Sequence, residues 1–322
     1  MKSRQEIVKN WLPRYTGVPL DKFGEYILLT NFDRYVSLFA QWHRVPIMGK
    51  DKPMRSATAG DISIVNFGMG SAMAATMMDL LSAVKPKAVL FLGKCGGIKH
   101  RAEIGDFVLP IAAIRGEGTS NDYYPPEVPA LPSFALQKAI STTIRDHARD
   151  YWTGTVYTTN RRVWEHDDKF KRYLKKIRAL AIDMETATIF MTGFFNEIPT
   201  GALLLVSDQP MTPEGMKTAA SDLKVDESFV TNHLRIGIDA LKQLINKGLT
   251  VKHLRFCGGI NSAFLRLKRL DGNPCPRFRA RLLIARDQLM SSFAHDGERA
   301  AFALLNVQRV AAPMHCSFCI RL

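Results

Sequence analysis

Between Ile62 and Ile98 a strand, a helix and a second strand follow one another, and both strands run into clusters of glycine. Ile62-Ser63-Ile64-Val65-Asn66-Phe67 has the apolar bias of a short strand, and Gly68-Met69-Gly70-Ser71-Ala72 follows at once. Met73, Met77, Leu80, Leu81 and Val84 then recur at helical spacing until Pro86 stops the helix. Ala88 to Leu92 is a continuous apolar run of strand length, closed by Gly93-Lys94-Cys95-Gly96-Gly97. The spacing predicts a right-handed βαβ crossover with parallel strands. In such sheets ligands bind beyond the carboxyl ends of the strands, and glycine lets them approach backbone N–H groups closely. Met69, Gly70 and Gly96 therefore become candidate ligand contacts.

Neither cluster fits a familiar nucleotide loop. Gly68-Met69-Gly70 lacks the third glycine of GxGxxG, and Gly93-Lys94-Cys95-Gly96 lacks the spacing of GxxxxGK[ST]. Alone, each is explained by a tight turn or by close helix–strand packing. Together, at the same end of paired strands, they favour a ligand floor.

At 322 residues the chain can hold one large α/β domain or two ordinary ones. No apolar run approaches the ~20 residues of a spanning helix, and Met1-Lys2-Ser3-Arg4-Gln5-Glu6 has no apolar signal region. Five cysteines are too few for a disulfide scaffold, so a reduced, cytoplasmic setting is expected. The net charge of +14 invites a nucleic-acid interpretation, but no block of five or more Lys/Arg occurs and aromatics do not interleave with a basic stripe. A cleft for an anionic small molecule explains the excess equally well, and neither membrane nor nucleic-acid partners are expected.

Taken in order, residues 1–25 read as a helix and an arm, and Tyr26 to Thr30 as the first strand. Arg34 follows that strand closely enough to face the floor, or else it begins a helix in solvent. Phe107 to Arg115 is a long strand followed by a polar loop, and Ser133 is a good N-cap for a helix carrying Leu136, Ile140 and Ile144. Thr153 to Thr159 is β-branched and runs into Asn160-Arg161-Arg162-Val163-Trp164, whose ring either packs or covers a base. An amphipathic helix is predicted over 167–178. Asp183 and Glu185 then sit inside the apolar run Ala181 to Met191. A buried carboxylate costs several kcal/mol unless paired or hydrogen-bonded, so sugar hydroxyls or an internal helix cap must satisfy these two. Ala202 to Val206 is the most apolar strand and ends in Ser207-Asp208. An acid there, raised by apolar surroundings, suits a general acid. A polar loop through Ser221 precedes a helix predicted from about Asp226 to Lys247, with Gly248 as its C-cap.

Phe67-Gly68-Met69-Gly70, the Gly93–Gly97 cluster, Asp183-Met184-Glu185 and Val206-Ser207-Asp208 occur in the order seen in the purine nucleoside phosphorylase and uridine phosphorylase superfamily, which residues 7–256 resemble. Phe91 to Gly97, Thr153-Gly154-Thr155, Trp164-Glu165, Ser207-Asp208 and His233 to Ile238 are similar to the bacterial AMP nucleosidases. The resemblance implies a single-domain α/β fold, a central mixed sheet or barrel flanked by helices, over residues 1–256. It implies hydrolysis of AMP to adenine and ribose 5-phosphate without metal or cofactor, by a homo-oligomer, a hexamer with sites shared between neighbours. The separate N-terminal regulatory domain of the longer AMP nucleosidases has no match in this sequence, so the resemblance does not carry over their allosteric control by nucleotide and phosphate.

Carried over by position, Met184 and Glu185 match the pair that holds ribose, Asp208 the acid that protonates N7 of the purine, and Arg34 a phosphate-pocket arginine. Trp164 falls near the aromatic over the base. For a 5′-phosphate Arg34 and Lys94 are the first choices, with Arg115 and Arg161 behind them. Phe91 stands where the phosphorylases place a second phosphate-binding arginine, so water becomes the expected nucleophile, with no group assigned to activate it. The alternatives are a purine nucleoside phosphorylase and, in another class, a nucleic-acid-binding protein acting through its basic tail. Residues 257–322, rich in Arg and Cys, are expected to be an appendage dispensable for catalysis.

Overall fold

The computed structural model describes residues 2–247. The expectations for Gly248, for the segment after it and for residues 257–322 lie outside the described residues.

Eight strands form one mixed sheet that closes on itself. The predicted crossover is present as β3 (Ile62–Asn66), α3 (Ser71–Leu81) and β4 (Ala88–Gly97). The first strand, β1 (Tyr26–Thr30), lies between β3 and β4, parallel to both. An antiparallel edge strand, β2 (Arg55–Ala59), covers β3 and was not legible in the sequence. Beyond β4 come β5 (Phe107–Gly116), β6 (Tyr151–Thr159), β7 (Ala181–Asp183) and β8 (Thr200–Asp208). The order is β2-β3-β1-β4-β7-β6-β5-β8, and β8 pairs back onto β4, giving the expected barrel-like core.

Strand β4 makes that closure possible. It continues through Gly93 to Gly97, correcting the expectation that the strand runs from Ala88 to Leu92 and ends at the glycines. Its register with β8 shifts between Cys95 and Gly96, and β7 joins antiparallel at Gly96 and Gly97. A Cβ on Gly96 would stand 2.8 Å from the Pro210 ring. The glycines are there so that neighbouring chain can come that close.

The core follows the period of two. On β4, Val89 and Phe91 face one apolar layer with Phe67, Met77 and Phe190, while Leu90 and Leu92 face another with Phe39, Ile140 and Leu241. Burial on both faces explains why β1, β4 and β8 are continuous apolar runs rather than alternating ones. The helices that cover the layers are α1 (Arg4–Thr16), α2 (Asp33–His43), α4 (Phe134–Asp146), α5 (Asp168–Lys176), α6 (Thr186–Phe195), α7 (Ala219–Ser228) and α8 (Val230–Lys247). Ser133 is the N-cap residue of α4, but its hydroxyl makes no capping bond.

Helix α8 is tied to the sheet by a buried histidine. His233 Nε2 lies 2.9 Å from the Leu203 carbonyl, which can only accept, so Nε2 carries the proton and Nδ1 accepts from Tyr35 Oη at 2.8 Å. Burial lowers the His233 pKa to about 4, and the ring stays neutral.

Phe91 is fully buried with its ring 5.8 Å from that of Phe67. Replacing it with alanine opens a cavity in the central strand, and Phe91→Ala is expected to lose about 3–5 kcal/mol of unfolding free energy in a urea titration with unchanged slope. A loss below about 1 kcal/mol would mean that this layer does not depend on the ring.

Candidate active site

The carboxyl ends of β1, β3, β6, β7 and β8 converge on the glycine half of β4, and a cavity of about 110 Å³ opens there. Of the sequence-derived site residues, Met69, Lys94, Gly96, Arg161, Trp164, Asp183, Met184, Glu185, Ser207 and Asp208 line it. Gly70 adjoins it through Glu185. Arg34 and Arg115 do not line it.

The acids are held by the turn between β7 and α6. Asp183 accepts bonds from Thr158 Oγ1 at 2.7 Å, from the Thr186 N–H at 2.8 Å, from the Thr186 hydroxyl and from the Glu185 N–H at 3.3 Å. Burial raises its pKa, and these donors oppose that. Asp183 lines the cavity, and these four bonds make it the residue that shapes the turn. Glu185 is the N-cap residue of α6, and its Oε1 accepts the Gly70 N–H at 2.7 Å. Gly70 has φ +91° at the start of α3, a conformation that glycine adopts readily, so the positive end of that helix faces the Glu185 carboxylate. Burial, then the nearby Asp183 charge, pushes the Glu185 pKa up to about 8, while bonds from Gly70, Met184 and Asn31 pull the other way.

Asp208 ends β8, with Ser207 Oγ donating to its Oδ1 at 2.6 Å. Burial raises its pKa, opposed by Ser207, Lys217 and Arg162. A carboxyl group raised in this way, at the end of a buried strand, is suited to donate a proton to a leaving group. Trp164 is buried, edge-on to Phe170 at 5.4 Å, and forms part of the wall.

The cations differ from those expected. Lys94 Nζ is buried between Asp222 at 2.8 Å and Asp226 at 2.6 Å and lies 4.3 Å from the Phe32 ring centroid. Two carboxylates already neutralise it, so it anchors α7 and is not free to take a phosphate. Arg115 donates to Ser120, Asn121 and the carbonyls of Tyr124, Pro125 and Val128. It organises the loop after β5 and cannot also hold a phosphate. Arg34 is exposed on the first turn of α2, away from the cavity. Arg161 is held by Asp167 at 3.1 Å but remains half-exposed and lines the cavity. Arg162, paired loosely with Glu165 at 3.4 Å, and Lys217, paired with Asp222 at 2.9 Å, line it too.

The phosphorylase superfamily pattern matches residues 28–244, nearly the whole of the described fold. The chain belongs to the phosphorylase superfamily. Its fold superposes on the crystal structure of AMP nucleosidase from Bacteroides thetaiotaomicron with a TM-score of 0.69 and 55% identity, covering 76% of this chain and 99% of that one. The AMP nucleosidase of Escherichia coli K12 is 31% identical over 285 residues, 74% of this chain and 58% of that protein, so the chain spans under two thirds of that relative's length. Purine nucleoside phosphorylase from Toxoplasma gondii shares the fold alone, at 17% identity and a TM-score of 0.62.

In this member of the superfamily, sequence reasoning missed Asn31, Phe32, Thr159, Arg162 and Lys217 as cavity residues. Arg162 stood beside Arg161, and Asn31 stood at the carboxyl end of a buried strand; Lys217, deep in a polar loop, gave no local signal.

A carboxylate whose pKa rises on folding weakens the fold as pH increases, because the folded state holds the proton that the unfolded state has lost. For Glu185 that window runs from its ordinary value of 4.5 to about 8. Glu185→Gln is therefore expected to melt several degrees above the wild type at pH 8 and above, the gap closing toward pH 4.5. A pH-independent difference, or a lower melting temperature throughout, would show that the charge is not held at a cost.

Proposed function

We propose that this protein cleaves the N-glycosidic bond of AMP by hydrolysis, releasing adenine and ribose 5-phosphate. The observation that carries this reading is one cavity lined by a raised acid, Asp208, a buried carboxylate, Glu185, and the cations Arg161, Arg162 and Lys217. Cleavage leaves charge on the purine and an oxocarbenium-like sugar. Asp208 removes the first by protonating N7, and Glu185 grips the 2′ and 3′ hydroxyls and offsets the second. Met184 beside it contacts the sugar, and Trp164, in the cavity wall, is the aromatic assigned to the base. A 5′-phosphate is met by Arg162 and Lys217, which replace Lys94, Arg34 and Arg115 in that role.

Hydrolysis is favoured over phosphorolysis by Phe91, which is wholly buried in the core layer and carries no cation to the cavity. The likeness to the Bacteroides thetaiotaomicron AMP nucleosidase points the same way. Low cysteine use supports a cytoplasmic setting, and among the described residues no helix is long and apolar enough to cross a membrane. We further infer a homo-oligomer, a hexamer, in which the exposed Arg34 serves a neighbouring copy's site.

Asp208→Asn is expected to lower adenine release from AMP by ~10²–10⁴ with little loss of AMP binding, since an amide has no proton for N7. Lys217→Ala is expected to raise KM for AMP about tenfold, the size of one charge-assisted bond, while leaving KM for adenosine unchanged. Turnover of Asp208→Asn within about threefold of wild type would remove the general acid from the account.

A further inference from the structure

Asn31 directly follows β1 and lines the cavity. Its side chain hydrogen-bonds to Glu185, and its Oδ1 is buried with no protein partner. A buried amide oxygen left unpaired is costly, so its presence at the site calls for something that donates to it during the reaction. The carboxylate beside it needs the amide N–H, which leaves the oxygen as the free acceptor.

The chemistry of a β-nucleotide says which donor. Its 2′ and 3′ hydroxyls lie on the ring face opposite the base, so a carboxylate gripping both occupies that face. A nucleophile displacing the base must approach C1′ from the same face. Asn31, bonded to that carboxylate, therefore sits where the attacking molecule has to be.

We propose that Asn31 positions the attacking water, its Oδ1 accepting one O–H so that an oxygen lone pair faces C1′. This rests on the hydrolytic reading of the site. The C1′–N9 bond breaks with its electron pair moving to the purine, which takes a proton at N7 from Asp208. The water oxygen bonds to C1′, and the proton it loses passes to solvent, from which Asp208 is reprotonated. The sum is one water divided between sugar and base. Asn31 is uncharged and takes no proton; it fixes position, where a misplacement of about 1 Å can cost ~10²-fold in rate.

The test is steady-state kinetics of full-length wild type, Asn31→Ala and Asn31→Asp on AMP, with added methanol as a competing nucleophile and melting curves to verify folding. Wild type is expected to form ribose 5-phosphate and little methyl riboside. Asn31→Ala is expected to lose roughly 10² in kcat with KM within about threefold, and to give a higher methanolysis-to-hydrolysis ratio because the selected water is gone. Asn31→Asp keeps the shape if alanine unfolds the chain, and its kcat should acquire one further ionisation beyond those of Asp208 and Glu185 in the wild type, since the acceptor now titrates. A raised KM with unchanged kcat would make Asn31 a sugar ligand and overturn the proposal. An unchanged methanol ratio and pH profile in a folded variant would overturn it as well. Wild type that makes a sugar 1-phosphate would instead overturn the hydrolytic reading, and this proposal with it.

Discussion

Asp183 is surrounded by four donors, from Thr158, Glu185 and Thr186, and it is the fixed point of the site. Its occupied oxygens hold the turn in which Glu185 is presented to the cavity, and its charge helps to raise the Glu185 pKa. Two carboxylates in one buried turn are tolerated only because backbone N–H groups and hydroxyls point inward at both. The strand that carries Asp183 can reach this place because β4 runs on through glycine and accepts β7 and β8 together. Barrel closure and the placement of the acids are thus one event.

The positive charges are sorted by the same rule. Lys94 is buried, so it needs its two aspartates and gives its charge to the attachment of α7. Arg115 spends its donors on a loop. The cations that remain available to a ligand are those that keep contact with water, Arg161, Arg162 and Lys217. Their pairs are partly exposed and so weaker than the buried pairs of Lys94.

Much of this was legible in the sequence. The crossover, the apolar strands, the acid at the end of β8 and the paired acids after β7 were visible because period and burial leave marks on neighbouring residues. The strand was expected to stop at Leu92 because glycine usually ends strands, whereas here Gly96 admits Pro210 and the pairing of β7. Lys94 was misassigned because its partners lie 128 and 132 residues away. The helix expected from Asp226 to Lys247 is divided, α7 ending at Ser228 and α8 beginning at Val230, and the start of α7 was read as loop because it buries Val225 alone and shows no periodic face. Asn31 was marked only by its place at the end of a buried strand, where asparagine is an ordinary turn residue.

Hydrolysis rather than phosphorolysis is the central claim, and the sugar product decides it. Full-length protein incubated with AMP, with and without inorganic phosphate, and followed by phosphorus NMR is predicted to give ribose 5-phosphate as the one new phosphate ester, at a rate that added phosphate does not change. Appearance of ribose 1,5-bisphosphate, or cleavage only when phosphate is supplied, would contradict it.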